Sequence, residues 1–238
     1  MQKLFFPLTA LLCAMPFFFS CTNEKVTKVT QEKRINKTEN SPAELRAVFS
    51  SFALDTNDLS FEAFKNAYEG FLRLKESDKV RKNILTVIDF SKASTAKRMA
   101  VLDLAQKKLI LQTYVAHGRN SGEQYAEKFS NKTGSLQSSL GFYLVTQPYI
   151  GKYGKSLLLE GIENGINHLA RARAVVMHPA DYVSEKFIKQ TGRLGRSWGC
   201  PAFPQEAGDL LIKNLKGNTC LFIWHPVYAD IPQKMQTL

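Results

Sequence analysis

The chain has 238 residues, 44% apolar and 22% charged, which suffices for one globular domain of ordinary size with a small addition. With 32 Lys and Arg against 21 Asp and Glu the formal charge is +11, yet the basic residues are scattered, without the interleaved arginines and aromatics that track a nucleic-acid strand. Nucleic acid is therefore not an expected partner; a diffusely anionic one is, such as a polymer with free carboxylates or an acidic membrane surface.

Residues 1–20 carry one charge, Lys3, then an apolar stretch from Leu4-Phe5-Phe6 to Phe17-Phe18-Phe19, and Ser20-Cys21 follows. A small residue before a cysteine at the end of an apolar stretch resembles a bacterial lipoprotein signal, with Phe18 where leucine is usual. The segment is short for a spanning helix and is interrupted by Pro7 and Pro16, so cleavage is expected, with acylation of Cys21. Residues 21–40 are polar and nearly free of large apolar side chains, too poor to bury a core. They are expected to form a flexible tether with a span of about 25 Å.

Folding is expected to begin at Ser41-Pro42-Ala43-Glu44, a capping box with proline at the first helical position, followed by Leu45, Val48, Phe49 and Phe52 at helical spacing. A second helix is predicted with Ser60 as its cap and Phe61, Phe64, Tyr68, Phe71 and Leu72 on one stripe. These two form a helical extension over 41–80, ahead of a domain over 81–238. Short β-branched runs then predict strands at 84–90, 98–104 and 109–116, the last two an antiparallel hairpin across Ala105-Gln106-Lys107. Further strands are expected at 142–145, 156–159, 174–177 and 221–224. A late helix opening at Pro204 should turn Ala207, Leu210, Leu211 and Leu215 inward and stop at Gly217. The fold class is mainly β (α+β): a β core with an N-terminal helical extension and a C-terminal helix–strand unit.

The stretch Gly195-Arg196-Ser197-Trp198-Gly199-Cys200-Pro201-Ala202 follows His178 by a long loop. Cysteine is a nucleophile only as the thiolate, so a histidine base and a basic loop (Arg193, Arg196) are the equipment of covalent acyl transfer. A lone cysteine is otherwise a core filler. Once Cys13 is removed and Cys21 acylated, Cys200 and Cys220 remain, and in an oxidising compartment a Cys200–Cys220 disulfide is the structural alternative. No histidine and acid spacing suggests a metal site, and no cofactor is expected. Papain-like order is disfavoured, because here the histidine precedes the cysteine.

With His178 at a strand end and Ser197-Trp198-Gly199-Cys200 behind it, the chain resembles the murein L,D-transpeptidase catalytic domain family of the YkuD-type L,D-transpeptidase superfamily, whose signature is a histidine followed by Ser-His-Gly-Cys. The segments 192–202 and 115–122 carry the resemblance, which runs from about Ile84 to Trp224. Trp198 replaces the second histidine of the wider pattern, and Ala202 stands where arginine or asparagine is common.

The resemblance implies a β-sandwich or barrel catalytic domain that acts on peptidoglycan stem peptides through a Cys200 thioester, with His178 as base. Hydrolysis of the same bonds by an L,D-carboxypeptidase or endopeptidase is the alternative chemistry. A non-catalytic wall-binding lipoprotein with the disulfide is the non-enzymatic one. Backbone N–H groups of Gly199 and Cys200 are the expected oxyanion donors, and Ser197 is expected to bond the base or the oxyanion. Arg196 and Arg193 are candidates for gripping a substrate carboxylate, Trp198 for a cleft wall, and His117 for a contact within the cleft. An exported, envelope-bound protein is expected, lipid-anchored at Cys21.

Overall fold

The computed structural model describes residues 1–238 only in part: 41–232, 235 and 236. The expected signal, the tether and Cys21 lie outside the described residues.

Helix α1 (Pro42–Ser50) starts at the expected capping box, with Ser41 Oγ accepting the Glu44 N–H and the Glu44 carboxylate accepting the Ser41 N–H. Helix α2 (Phe61–Glu76) is capped by Ser60, whose hydroxyl accepts from Ala63 N–H. Its inward face carries Phe64, Phe71 and Leu74 together with the small residues Ala63, Ala67 and Gly70. Gly70 is the closest approach: a Cβ there would stand 1.9 Å from Phe142 Cζ, so the helix sits directly on the sheet. Asp89 fixes the other end, accepting the Ser60 N–H at 2.9 Å and the Ser91 N–H at 3.0 Å.

The strands are β1 (Ile84–Asp89), β2 (Met99–Asp103), β3 (Lys108–Thr113), β4 (Gly141–Gly151), β5 (Gly154–Gly161), β6 (Val176–Pro179), β7 (Ala202–Phe203) and β8 (Thr219–Trp224). Among the described residues they make one eight-stranded mixed sheet in the order β3-β2-β1-β8-β4-β5-β6-β7. Only the β1–β8 and β6–β7 pairs are parallel. Beyond β3, Ala116 pairs with Ala202 of β7 through N–H···O bonds of 2.8 and 3.3 Å. The two outer strands are thereby joined and the sheet is a nearly closed barrel, which leaves few unpaired edge groups. β1 and β8 are buried throughout, and with α2 against them they form the centre of the core.

The expected 105–107 hairpin is present, with Asp103 Oδ1 accepting the Ala105 and Gln106 N–H groups at 3.0 Å. β4 runs six residues past its expected end. Its outer half pairs only with β5 and is largely solvated, so it lacks the apolar pattern that marks a strand, and Pro148 sits at a register shift where a missing N–H is tolerated. The expected strand at 174–177 begins only at Val176, because Ala174 is left-handed, with φ of 55°.

The stretch between His178 and Pro204, expected as one long loop, holds a short helix α3 (Glu185–Thr191), capped by Ser184 and closed by left-handed Gly192, and then β7. The late helix opens with a single 3-10 turn (Gln205–Ala207) before α4 (Gly208–Leu215). Gly208, Leu211 and Leu215 form its inward stripe, whereas Leu210, expected inside, lies about 100° around the helix from Leu211 and is exposed.

Replacement of Gly70 by alanine should destabilise the protein by about 1–3 kcal/mol despite alanine's better helix propensity, because the methyl group must displace the Phe142 ring. Urea denaturation measures this; a midpoint that stays or rises would mean that α2 is not seated on β4.

Candidate active site

Cys200 and His178 line one cleft of about 440 Å³. The parallel register of β6 and β7, with His178 opposite Ala202, brings the two segments together, and a small cluster of Ala116, Ala180, Val183, Leu194 and Ala202 packs beneath them. The mouth is walled by Tyr149, Lys152 and Tyr153 from the β4–β5 tip, by Tyr182, and by Trp198, which is 70% exposed. Trp198 thus stands in the cleft wall.

The sulfur is held by backbone groups at the start of β6 and just ahead of it. The Val176 N–H donates to Cys200 Sγ at 3.5 Å, and the thiol donates to Ala174 C=O at 3.8 Å. Burial raises the thiol pKa, while the Val176 N–H and the Arg173 charge lower it. Cys200 and Cys220 are both free thiols. Cys220 is buried in β8 between Leu85 of β1 and Leu144 of β4. The disulfide alternative is thereby overturned, since Cys220 belongs to the sheet core and Cys200 to the cleft.

His178 is buried, and Tyr153 stacks on its ring at 4.7 Å and 24°. Its Nδ1 lies 2.9 Å from Pro179 C=O. A carbonyl only accepts, so the neutral ring carries its proton on Nδ1 and leaves the Nε2 lone pair free. Burial lowers its pKa, opposed by the Pro179 bond, so the ring is neutral at neutral pH. No hydrogen bond joins it to Cys200, whose partners are the backbone groups of 174 and 176.

Ser197 and Gly199 shape the loop. The Ser197 hydroxyl donates to Cys200 C=O at 2.5 Å and accepts the Gly199 N–H at 3.1 Å. Among the described residues this hydroxyl makes no bond to His178, and the Gly199 N–H, expected as an oxyanion donor, is engaged by Ser197. Gly199 is required where it is, since its φ is 122° and a Cβ would meet Gln137 C=O at 2.8 Å. Ser138, in the turn-rich stretch 134–141, accepts the Gly118 N–H at 3.0 Å and donates to Gly199 C=O at 3.1 Å.

His117 is also reassigned. It is 1% exposed, lies behind the cysteine loop rather than in the cleft, and its C=O accepts the Ser197 N–H. Its Nδ1 stands 2.8 Å from Arg98 Nη2 and its Nε2 3.3 Å from Gly122 C=O. Guanidinium cannot accept, so Nδ1 accepts and Nε2–H donates. Burial, with Arg98 next, pushes the His117 pKa down to about 3. Arg98 is fully buried, bonding Val115 C=O and Lys92 C=O, with its guanidinium over the Phe90 ring.

Arg193 and Arg196 are both bound to Glu123, with N···O distances of 3.1 and 2.5 Å. Neither is a free carboxylate grip, because an acid some seventy residues upstream occupies both. Arg173, which lies in no recognisable motif, does line the cleft. Among the described residues no group of three or more metal-ligating side chains occurs, and no helix is long and apolar enough to cross a membrane.

The sequence profile of the L,D-transpeptidase catalytic domain family matches residues 55–224. The chain belongs to this family. Solved structures similar to it include an L,D-transpeptidase from Mycobacterium smegmatis, at 10% identity and a TM-score of 0.38 over 60% of this chain and 59% of that one. Another is an Enterococcus faecium L,D-transpeptidase mutant, at 13% identity and 0.36 over 61% and 50%. A third is an L,D-transpeptidase from Mycobacterium tuberculosis H37Rv, at 12% identity and 0.35 over 60% and 58%. The chain thus spans half to three-fifths of the length of these structures. No curated protein sequence matches it.

The neutral, buried His117 makes a prediction about this L,D-transpeptidase domain. Between pH 6.5 and about 3 the unfolded chain protonates this histidine and the folded one does not, so stability falls as pH falls through that window, by at most about 1.4 kcal/mol per pH unit. His117→Gln, which can still accept from Arg98, should remove that component of the slope. Urea denaturation of both proteins from pH 7 to 4 measures the difference; parallel curves would contradict it.

Proposed function

We propose that the chain is an exported cysteine acyltransferase acting on peptidoglycan stem peptides, cleaving the amide between an L-centred and a D-centred residue through a Cys200 thioester and passing the acyl group to an amine of a second strand. The observation that carries the reading is the shared cleft: a free thiol on a glycine turn and an imidazole with an unprotonated Nε2, in a chain of the L,D-transpeptidase catalytic domain family.

In this reading the sulfur leaves its contact with Ala174 as substrate enters, gives its proton to His178 Nε2 and attacks the carbonyl carbon. Catalytic hydrogen bonds commonly form only in the substrate complex. The carbonyl π pair moves to oxygen, where the Cys200 N–H, which has no partner among the described residues, is the donor at hand. Collapse expels the D-centred amine, which takes the proton from His178, and leaves the thioester. The acceptor amine then loses a proton to His178 and attacks the thioester, and the sulfur departs as thiolate. Water in place of the amine gives hydrolysis, the second outcome the assay below distinguishes.

The cleft's charged wall supports an anionic substrate, since Lys152 and Arg173 line it with no carboxylate partner among the described residues, and no Asp or Glu lines it there. Cleavage of residues 1–20 and acylation of Cys21 would tie the enzyme to a bacterial membrane, with 21–40 as the tether.

Purified stem peptides and an amine acceptor, followed by mass spectrometry, should show cross-linked or exchanged product with the native protein and none with Cys200→Ala. His178→Gln should cut the rate by about 10²–10⁴-fold. An unchanged product profile in either variant would refute the assignment. In the full chain, Cys21→Ser should move the protein out of the membrane fraction and remove the lipid mass; retention there would refute the anchor.

A further inference from the structure

Arg173, Arg193 and Arg196 lie near the cysteine loop, and of these only Arg173 has no carboxylate partner among the described residues. Arg193 and Arg196 share Glu123. Arg173 bonds only neutral acceptors: Nη1 donates to Ser130 C=O at 2.8 Å and to Ser139 Oγ, and Nη2 donates to Ser135 Oγ at 3.2 Å and to Gln137 C=O at 2.7 Å. No carboxylate pairs with it among the described residues. The four Nη hydrogens are thus committed, which rules out a bidentate grip on a substrate carboxylate and fixes the guanidinium in place.

Its position is set from both sides. Arg173 Nη2 lies 3.5 Å from where a Cβ on Gly199 would be, and the same nitrogen holds Gln137 C=O, the group against which Gly199 packs. In sequence it precedes Ala174, whose backbone is left-handed and whose C=O accepts a hydrogen bond from the thiol. Val176 N–H then faces the sulfur.

We propose that residues 173–176 are a thiol cradle with two settings: Ala174 C=O stabilises the resting thiol, while the fixed, uncompensated Arg173 guanidinium and the Val176 N–H stabilise the thiolate. Arg173 is a positioning residue that acts through the sulfur and does not contact substrate. The charged and titratable groups around Cys200 are His178 on β6, Tyr149, Lys152 and Tyr153 on the β4–β5 tip, Tyr182 ahead of α3, and Arg196 on the cysteine loop. Of the two arginine side chains that line the cleft, Arg196 is neutralised by Glu123 and Arg173 is not. The direction of the Arg173 effect on the thiol agrees with this arrangement. The inference rests on Cys200 being a reactive thiol, not on the identity of its substrate.

The test is the pH dependence of Cys200 alkylation, which needs no wall peptide, so its failure and failure of the acyltransferase reading are separable. With iodoacetamide, Arg173→Met should move the alkylation midpoint up by about one pH unit or more, so that the rate at pH 7 falls about tenfold. Arg173→Lys, which keeps the charge and loses the fork of hydrogen bonds, should recover most of that loss. Thermal unfolding checks that both variants are folded. A folded Met variant with the native profile overturns the proposal, as does a folded Lys variant that matches Met. If the Met variant does not fold, the native protein still decides: anionic iodoacetate should react faster relative to neutral iodoacetamide than it does with free cysteine, and a ratio no higher than that of free cysteine overturns the proposal.

Discussion

The pairing of Ala116 with Ala202 is the constraint on which the site depends. It joins the strand edge that begins at β3 to the edge that ends at β7. Once these edges are joined, His117 lies behind Ser197, Ser138 spans Gly118 and Gly199, and the loop from 195 to 200 is pinned along its length. The same closure sets β7 beside β6, which is why the Val176 N–H meets the Cys200 sulfur and the His178 ring opens into the same cleft. A thiol on an open edge would have no fixed neighbours; here the barrel supplies them.

Around that closure the polar groups divide by what holds them. The buried Arg98 and His117 form a cationic–neutral pair that bonds backbone carbonyls, and burial keeps the histidine uncharged. Serine hydroxyls take the place of ladder partners where the chain leaves the strands, at Ser121, Ser138 and Ser197. Such hydroxyls satisfy buried backbone groups that loops would otherwise leave unpaired. Among the described residues the Cys200 N–H has no partner amid this bracing, beside a sulfur whose own contacts are long, at 3.5 and 3.8 Å.

The helices and inner strands were legible because each carries its own periodicity. Ser41 and Ser60 cap the helices they were expected to cap, and the apolar runs of β1, β2 and β8 lie within a residue or two of their expected limits. α3 escaped notice because it buries no side chain fully, so its apolar signal reduces to a few partly covered residues between Ser184 and Gly192. β7 is two residues long and exists only through its neighbours. In the site, Cys200, His178 and Trp198 could be read from residue type and order. Arg193, Arg196 and His117 had the right chemistry for substrate contact and were given other partners, Glu123 and Arg98, by segments distant in sequence.

By itself the sequence determined what short-range physics controls: caps, apolar stripes, the 105–107 hairpin, and a cysteine placed after glycine and serine with a histidine before it. Only the tertiary structure decided which cations remain uncompensated, which N–H groups are already bonded, and that Arg173, from a segment with no motif, lines the cleft that holds Cys200. The reason is that charge compensation and hydrogen-bond satisfaction are pairwise properties across space. A local pattern specifies one member of each pair, and the fold selects the other.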